Sequence, residues 1–325
     1  MLLSGRIRKM KRRIKLKIST KNKSYDIIDS PFYKMRSKRK LASLLGVDVG
    51  DLSTLKKDEG NYSIFEQLSK NGKPRKIQKP LEKLDVVHTR IASLLSRITL
   101  PDYLHSGKKG CSNVTNAKIH LNNERLMTTD IRAFFPSTTR EMIFSFFFSV
   151  MKMSSDVADV LSYICTCYGR LPTGSRISMP LAYFANSRMF GEIHQLCNKL
   201  HVNMSVYVDD LTFSGQNVNR LFCSVIRKII NKHGHVMHAD KTKIYSREKP
   251  KLVTGVIVLG SSLKVRNKQH LLMSQEIEYW KMIKDAACAR ETHTAKKLFG
   301  RLHSMGVIEQ RYRSKVLTLK ASTAL

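Results

Sequence analysis

The sequence predicts an α+β fold organised around a βαββαβ unit. A short apolar strand over residues 125–129 ends at Asp130, an alternating strand–turn–strand segment occupies residues 204–214, and helical segments separate and follow them. In such a unit the end of the first strand lies beside the hairpin turn, so we expect Asp130 to lie next to that turn. The 325 residues, 42% of them hydrophobic, are enough to bury a core of this type.

The N-terminal part begins with a basic segment, residues 1–24, which is either a solvated tail or an arm that contacts nucleic acid. Residues 37–45 have the spacing of a short amphipathic helix, which Gly46 stops. Residues 72–80 predict a turn followed by a short basic strand that a proline ends, and apolar spacing predicts a helix over residues 84–98.

The chain after Asp130 is mostly helical by its apolar spacing, which predicts helices over residues 141–151, 157–167, 181–200 and 221–231. The aromatic run inside the first of these is typical of a buried core helix. Residues 251–259 and 262–265 predict a second hairpin, and the remainder from Lys268 predicts basic helices.

The charge balance is strongly basic: Lys and Arg number 58, Asp and Glu number 25, and the net charge is +33. The excess positive charges repel one another unless a polyanion neutralises them, which predicts nucleic acid as the partner. A basic surface that serves solubility and a negatively charged membrane surface are the alternatives. Solubility needs far less charge than this, so we favour nucleic acid.

The six cysteines are scattered and form no C-x-x-C pair: Cys111, Cys165, Cys167, Cys197, Cys223 and Cys288. This usage predicts neither a disulfide framework nor a metal site, and it favours a reducing compartment, the cytoplasm. The basic N-terminus has no apolar segment after it, so no signal peptide is expected. Membrane association is not expected either, because no apolar run is long enough to span a bilayer.

The segment Tyr207-Val208-Asp209-Asp210 carries the sharpest chemical signal. Two adjacent carboxylates in a hairpin turn repel each other, and bound divalent cations would relieve that repulsion. Phosphoryl transfer to a hydroxyl uses two Mg²⁺ ions held by one or two carboxylates and by the substrate phosphates. The alternatives are an acidic turn at Asp209 and Asp210 and, for Asp130, a helix N-cap.

Asp130-x-x-x-Phe134-Phe135-Pro136-Ser137 together with the Tyr207–Asp210 segment resembles the palm of the reverse transcriptases. Two further segments resemble the retron branch of that family: Asn116-Ala117-Lys118-Ile119-His120 and Val253-Thr254-Gly255. Arg75-x-Ile77-x-x-Pro80 resembles the fingers strand of the family, and the similarity covers about residues 30–260.

The resemblance implies a right-hand polymerase fold with fingers, a ferredoxin-like βαββαβ palm and a helical thumb. After the basic tail of residues 1–24, the implied fingers are residues 25–125 and the implied palm is residues 126–262. A finger-side helical insertion lies at about residues 140–170, and the thumb is residues 263–325.

The resemblance also implies roles at the reaction centre. Asp130 and Asp209 would bind two Mg²⁺ ions, assisted by the backbone carbonyl of Ile131, while Asp210 would tune the pair. Phe135 would be the steric gate that excludes a ribonucleotide 2′-hydroxyl; the alternative is an aromatic core residue.

Further residues are implied to contact the substrates. Lys73 and Arg75 would contact the dNTP triphosphate, or form a solvated basic turn, and Lys241 would lie near the departing pyrophosphate. Gly174 would allow close backbone approach to the nucleotide. Asn116 and His120 would contact RNA, or cap and pin a helix; the Val253-Thr254-Gly255 segment is likewise implied to bind RNA.

One segment departs from the family pattern of Leu-Pro-Gln-Gly followed by a small residue and Pro. Here the run is Leu171-Pro172-Thr173-Gly174-Ser175-Arg176. Thr173 lacks the amide of Gln, and Arg176 puts a cation where the family has Pro. This change puts the contacts to template and dNTP in question and leaves the metal ligands intact.

As a bacterial retron reverse transcriptase, the protein would copy part of its cognate structured non-coding RNA into branched single-stranded DNA. Priming would start from a guanosine 2′-hydroxyl, and the helical thumb would grip the RNA by shape and phosphates. Retrons act in anti-phage defence with a separate effector protein. The alternatives are a group II intron or diversity-generating reverse transcriptase, and a catalytically silent RNA-binding scaffold.

Overall fold

The computed structural model describes residues 16–69, 72, 74–123, 125–247, 249–284 and 291–321. Most of the predicted basic tail, and also Lys73, lie outside these residues. The chain forms two compact units. The first contains Met1–Thr99 and Ile143–Leu181, and the second contains Leu100–Met142 and Ala182–Leu325.

The elements up to the middle of the chain are α1 (Lys38–Leu45), α2 (Asp51–Leu55), β1 (Tyr62–Leu68), β2 (Pro74–Pro80), α3 (Glu82–Leu95), α4 (Asn113–Lys118), β3 (Leu126–Asp130), α5 (Phe134–Ser137), α6 (Arg140–Ser145), a π-helix (Phe146–Val150), α7 (Ser155–Ile164), α8 (Ser178–Ala185) and α9 (Ser187–Lys199). The remaining elements are β4 (Asn203–Tyr207), β5 (Asp210–Ser214), α10 (Arg220–Lys232), a 3-10 turn (Ala239–Lys241), β6 (Lys243–Tyr245), β7 (Lys251–Val253), β8 (Val256–Leu259), β9 (Ser262–Val265), α11 (Asn267–Ile283), α12 (His293–Ile308) and α13 (Arg311–Ala321).

The ends of the predicted helix at residues 37–45 are confirmed in detail. Ser37 caps α1, because its side chain accepts a hydrogen bond from the Lys40 backbone amide. Gly46 ends the helix in the left-handed conformation at φ 73°, where a residue with a Cβ would be strained.

Two predicted helices are interrupted. The aromatic run forms α6 and then a π-helix, in which Phe146 and Phe147 are buried but Phe148 is 45% exposed. The predicted helix over residues 181–200 is two helices, α8 and α9, which break at Asn186. The buried Asn186 amide donates to the Ala182 carbonyl of α8 at 2.9 Å and, outside the helix, to Thr138 Oγ1 at 3.1 Å. The bond to Thr138 fixes the position of the break.

The central sheet of the second unit has four strands in the order β4-β5-β3-β6, and neighbouring strands are antiparallel. Numbered by their own succession along the chain, this is the order second, third, first, fourth. It is the strand order of a βαββαβ unit, as the sequence predicts. Helices α5–α9 and the π-helix connect the first strand to the second, and α10 and the 3-10 turn connect the third to the fourth.

A second sheet consists of β7, β8 and β9 in that order. The sequence predicts one strand over residues 251–259, but the structure divides it into β7 and β8. Thr254 and Gly255 both have positive φ, 43° and 87°, as the tight turn between two antiparallel strands requires.

The C-terminal helices α11, α12 and α13 pack on one another around a buried cluster that includes Trp280, Leu298 and Leu302. This outcome agrees with the helices predicted from Lys268 onward. Among the described residues, no helix combines the length and apolar character needed to cross a membrane.

Candidate active site

Three carboxylates converge where the first strand of the sheet meets the hairpin turn. Asp130 ends β3 and is paired in register with Asp210, which begins β5. Asp209 precedes it in the turn after β4, and Tyr207 pairs with Asp210 across the hairpin. One carboxylate oxygen from each of the three acids lies within 4.8 Å of the others. The convergence expected from the βαββαβ order is therefore confirmed.

The helix N-cap alternative for Asp130 is excluded. The helix that follows, α5, begins at Phe134, and Ala133 occupies its N-cap position. The Asp130 side chain instead accepts a hydrogen bond from Lys241 Nζ at 2.7 Å. Its backbone carbonyl accepts from the His238 amide at 2.8 Å.

The hairpin turn is held in an unusual backbone conformation. Val208 has φ 63°, which is costly for a β-branched residue. The Val208 amide donates to Ser106 Oγ at 2.9 Å, and the Asp209 carbonyl accepts from the Ile131 amide at 3.0 Å. These bonds fix both sides of the turn next to the end of β3. The metal-assisting role of the Ile131 carbonyl stays a prediction.

Lys241 was predicted near a pyrophosphate, and the structure places it against the carboxylates. The 3-10 turn ending at Lys241 leads into β6, whose Lys243 pairs with Thr128 of β3, so the chain returns beside Asp130. Burial opposes the charge of Lys241, but the hydrogen bond to Asp130 and the attraction of all three carboxylates outweigh it and raise the pKa of Lys241.

The electrostatics of the cluster are those of an acid-rich site. Burial, followed by the charges of Asp209 and Asp130, raises the pKa of Asp210 to about 6, and Lys241 partly offsets this. Three acid oxygens in this space form a ligand set that a hard divalent cation such as Mg²⁺ accepts. The three carboxylates therefore fit a divalent metal. The Lys241 ammonium lies against Asp130, one of these ligands.

A cleft of about 280 Å³ runs along the sheet from this cluster. Its walls include Asp130, Asp210 and Lys241 at one end and the Thr254–Gly255 turn at the other. The cleft therefore brings together two of the predicted metal ligands, Asp130 and Asp210, with the predicted pyrophosphate residue and two of the predicted RNA-binding residues.

The two aromatic residues after Asp130 have different surroundings. Phe134 is buried, and its ring packs against those of Phe190 and His235, with centroids 6.1 and 5.6 Å away. Phe135 is only half-buried, on the same short helix. Phe134 thus belongs to the core, whereas the two interpretations of Phe135, steric gate and core aromatic, stay predictions.

Arg75 and Gly174 belong to the first unit. Arg75 is exposed on β2, and its contact with a triphosphate stays a prediction, as does that of Lys73. Gly174 lies against β2, where an added Cβ would come within 2.8 Å of the Gln78 carbonyl and 2.9 Å of Ile77 Cγ2. This close packing by itself accounts for glycine at position 174, so the nucleotide approach is not needed to explain it.

Thr173 and Arg176, where the sequence departs from the family pattern, both make hydrogen bonds within the first unit. Thr173 Oγ1 donates to the Lys76 carbonyl at 2.7 Å, which ties the segment to β2. Arg176 Nη1 hydrogen-bonds both carboxylate oxygens of Asp85 on α3. An ion pair therefore ties this segment to α3, and the effect of the departure on template and dNTP contacts stays a prediction. The sequence offered no signal for Asp85, because 91 positions separate it from Arg176.

Asn116, His120 and Val253 were expected to contact RNA, and the structure requires a correction. All three are fully buried. A side chain without solvent-accessible surface is not available to a polyanion at the surface, so the alternative, in which Asn116 and His120 pin a helix, describes their contacts. Thr254 and Gly255 are partly or fully exposed, and RNA contact there stays a prediction.

Sequence reasoning missed Ser106, which supports the turn through Val208. A serine in a loop 102 residues away from its partner has no local signal. It also missed that Lys241 pairs with Asp130, which only the β3–β6 pairing reveals.

The sheet order and the carboxylate cluster are together consistent with the palm of a metal-dependent polymerase. Retron reverse transcriptases are homologues of this chain. The retron Se72 reverse transcriptase of Salmonella heidelberg is 29% identical over 180 residues, 54% of this chain and 47% of that protein. The retron Ec86 enzyme of Escherichia coli is 23% identical over 67% of this chain and 69% of its own length. The retron Mx65 enzyme of Myxococcus xanthus is 25% identical over 74% and 63%.

The matched region thus spans about half the length of the Se72 relative and about two thirds of the other two. No protein-family model matches the sequence. Among solved structures, telomerase from Candida albicans, in complex with a fragment of telomeric RNA, covers 81% of this chain and 57% of its own at a TM-score of 0.48 and 11% identity. Apo telomerase from Candida tropicalis covers 63% and 55% at a TM-score of 0.49 and 12% identity.

Proposed function

We propose that this protein is an RNA-directed DNA polymerase that extends a primer by phosphoryl transfer on two Mg²⁺ ions. The observation that carries the proposal is the convergence of Asp130, Asp209 and Asp210 within 4.8 Å at the end of a βαββαβ sheet. The net charge of +33 supports a nucleic acid as template and product, and the retron relatives support RNA as the template.

Asp130 and Asp209 would hold the ions, with Asp210 at the edge of the site. The ions, when bound, lower the pKa of the attacking 3′-hydroxyl and neutralise the phosphates. The hydroxyl oxygen bonds to the α-phosphorus of the dNTP, the bond to pyrophosphate breaks with its electron pair on the pyrophosphate, and the hydroxyl proton passes to solvent. Lys241 lies beside Asp130, where its ammonium would balance the charge of the departing pyrophosphate.

Phe135 would exclude ribonucleotides in this proposal. Phe135 is half-buried on α5, five residues after Asp130. A rigid aromatic side chain there leaves no room for a 2′-hydroxyl if the sugar stacks against it. The exposed part of Phe135 would form this contact, and the buried Phe134 beneath would support it.

The particular reaction we propose is that of a retron. The protein would bind its cognate structured RNA, start synthesis at a guanosine 2′-hydroxyl and leave branched single-stranded DNA joined to RNA. The homology to retron reverse transcriptases supports this reaction, and so does the contact between the two retron-like segments, where Asn116 Nδ2 donates to Thr254 Oγ1 at 3.4 Å. We place the reaction in the bacterial cytoplasm and expect a separate effector protein in anti-phage defence.

Primer extension on poly(rA)/oligo(dT) with Mg²⁺ and dNTPs tests the chemistry. We expect DNA product from the wild-type protein and a loss of about a thousandfold or more in the Asp209→Asn variant, because a metal ligand is removed. Product no higher than that of the variant would reject the polymerase and favour an RNA-binding scaffold.

Sequencing and debranching of the nucleic acid that co-purifies with the protein test the retron reaction. We expect DNA joined to RNA through a 2′,5′ linkage. Primer extension without any such branched product would favour another bacterial reverse transcriptase, of the group II intron or diversity-generating type.

A further inference from the structure

A buried histidine that follows helix α4 bonds to both strands of the β4–β5 hairpin, which carries Asp209 and Asp210. His120, just beyond the helix, is fully buried, and its Nδ1 lies 2.7 Å from Ser214 Oγ on β5. Its Nε2 lies 2.7 Å from Ser205 Oγ on β4. Both serines are themselves fully buried, so the three side chains satisfy one another in the interior.

This network requires a neutral imidazole and a fixed orientation of the ring. Burial lowers the pKa of His120 to about 3, so the ring is neutral at physiological pH. A neutral imidazole has one donor and one acceptor nitrogen, and each serine hydroxyl can meet either. His120 therefore makes one directional bond to each strand, whichever tautomer is present.

The position of the two serines connects His120 to the carboxylates. In the hairpin register Ser205 is paired with Thr212, and Tyr207 is paired with Asp210. Side chains at every second position of a strand share a face, so Asp210 and Ser214 of β5 point to the same side of the sheet. His120 thus bonds to the hairpin on the same face of the sheet as the Asp210 carboxylate.

The other end of α4 is tied to the turn between β7 and β8. Asn113 Nδ2 donates to the Thr254 carbonyl at 3.2 Å, and Thr254 Oγ1 donates to the Asn113 carbonyl at 3.1 Å. Asn116 Nδ2 adds a bond to Thr254 Oγ1 at 3.4 Å. The helix therefore links the hairpin to the far wall of the cleft that begins at the carboxylates.

The loop before α4 contacts the hairpin as well. His105 donates its amide to the Val206 carbonyl at 2.9 Å, and its Nδ1 lies 3.0 Å from Thr115 Oγ1 on α4. The next residue, Ser106, accepts from the Val208 amide in the turn. The strained turn at Val208 is thus supported from α4 and from the loop that leads into it.

We propose that His120 is a positioning residue: by bonding to Ser205 and Ser214 it holds the β4–β5 hairpin so that Asp209 and Asp210 stay in register with Asp130. This inference rests on the proposed polymerase function and assigns the Asn-Ala-x-x-His segment to the geometry of the reaction centre instead of to RNA recognition. Displacement of a reacting group by about 1 Å can lower a rate by about a hundredfold, so the bracing is functionally consequential.

The test compares His120→Leu with a triple variant, His120→Leu/Ser205→Ala/Ser214→Ala. The single variant leaves two buried hydroxyls without a partner, whereas the triple variant removes those hydroxyls and leaves an apolar contact, which is far less costly. Ile230→Ala, a fully buried residue of α10, is the control for lost core packing. Ser205→Ala and Ser214→Ala are milder variants, each removing one bond, in case His120→Leu does not fold.

Four quantities are measured for each variant: the thermal midpoint, kcat and KM for dTTP on poly(rA)/oligo(dT), RNA affinity, and binding of Tb³⁺ by luminescence. We expect His120→Leu to lower kcat by about tenfold or more with little change in KM or RNA affinity, and to weaken Tb³⁺ binding several-fold. The triple variant should recover the thermal midpoint but keep the low kcat and the weak Tb³⁺ binding. Ile230→Ala should lower the midpoint and retain kcat.

Two outcomes overturn the inference. Recovery of kcat and Tb³⁺ binding together with the thermal midpoint in the triple variant would make His120 a core residue only. Loss of RNA affinity at unchanged kcat would make it part of RNA recognition. If the wild-type protein does not polymerise, the proposed function fails. The positioning role is then tested by Tb³⁺ binding alone, compared between wild type and His120→Leu. Asp209→Asn gives the reference signal of a disrupted carboxylate cluster.

Discussion

Lys241 Nζ and Asp130 Oδ2 lie 2.7 Å apart, so a cation of the protein itself occupies one side of the carboxylate cluster. Asp130 is 8% exposed in its side chain and Lys241 is 56% exposed. The lysine can therefore swing into solvent, while the acid cannot. A metal that binds Asp130 competes with this ammonium.

Lys241→Met should tighten metal binding and slow the reaction. Removing the ammonium leaves the Asp130 carboxylate free for a metal. Because the ion pair is half-exposed and therefore weak, we expect the metal affinity to rise by about two- to fivefold. Tb³⁺ titration of the two proteins measures it, and kcat should fall because the pyrophosphate loses its cation. Lys243→Met, which removes a nearby exposed lysine from β6, serves as the control. Equal Tb³⁺ affinity in all three proteins would contradict the competition.

Asp210 makes the metal-free protein less stable as pH rises. The pKa of Asp210 is about 6 in the fold, above the usual 3.8, so the folded state favours the protonated acid. The favourable contribution is fully present below pH 4 and is lost as pH rises through about 6. By linkage the loss amounts to about 2 to 3 kcal/mol.

Asp210→Asn should remove this loss, because an amide does not ionise. The measurement is urea unfolding in EDTA between pH 4 and 8 for both proteins. We expect the variant to gain stability relative to wild type as pH rises through about 6. A difference between the two that stays flat with pH would show that Asp210 does not titrate in this range.

Phe135→Ala should allow the polymerase to incorporate ribonucleotides. The half-buried ring on α5 is large enough to exclude a 2′-hydroxyl, and alanine leaves that space open. We expect the ratio of kcat/KM for dTTP over UTP to fall by about tenfold or more, since the discrimination is steric. Phe148→Ala removes an aromatic ring that is 45% exposed in the first unit and should leave the ratio unchanged. Undiminished discrimination in Phe135→Ala would remove Phe135 from the gate role.

Arg176 and Asp85 should show energetic coupling in a double-mutant cycle. Their side chains are 36% and 17% exposed, and the guanidinium meets both carboxylate oxygens. For a partly exposed bidentate pair we expect a coupling of about 1 kcal/mol. Urea unfolding of Arg176→Ala, Asp85→Ala and the double variant measures it. Additive losses would mean that the ion pair does not stabilise the fold.

The sequence alone determined which acids form the carboxylate cluster and in which order they occur. Asp130 after an apolar strand, and Asp209 and Asp210 between two alternating segments, are local patterns, and the side-chain period of two in strands makes such patterns visible. The element order also determined the sheet order, because a βαββαβ chain has few ways to close an antiparallel sheet. The start and end of α1 were local as well, since Ser37 and Gly46 act on the backbone next to them.

Only the tertiary structure decided which polar residues face a ligand and which face the core. A sequence pattern cannot tell whether His120 and Asn116 bind RNA or support a hairpin. The difference depends on burial, and burial depends on partners 85 to 138 positions away. The break at Asn186, the Lys241–Asp130 pair and the Arg176–Asp85 pair have the same origin. Each is a hydrogen bond between distant segments, and no local propensity encodes a partner that only folding brings into reach.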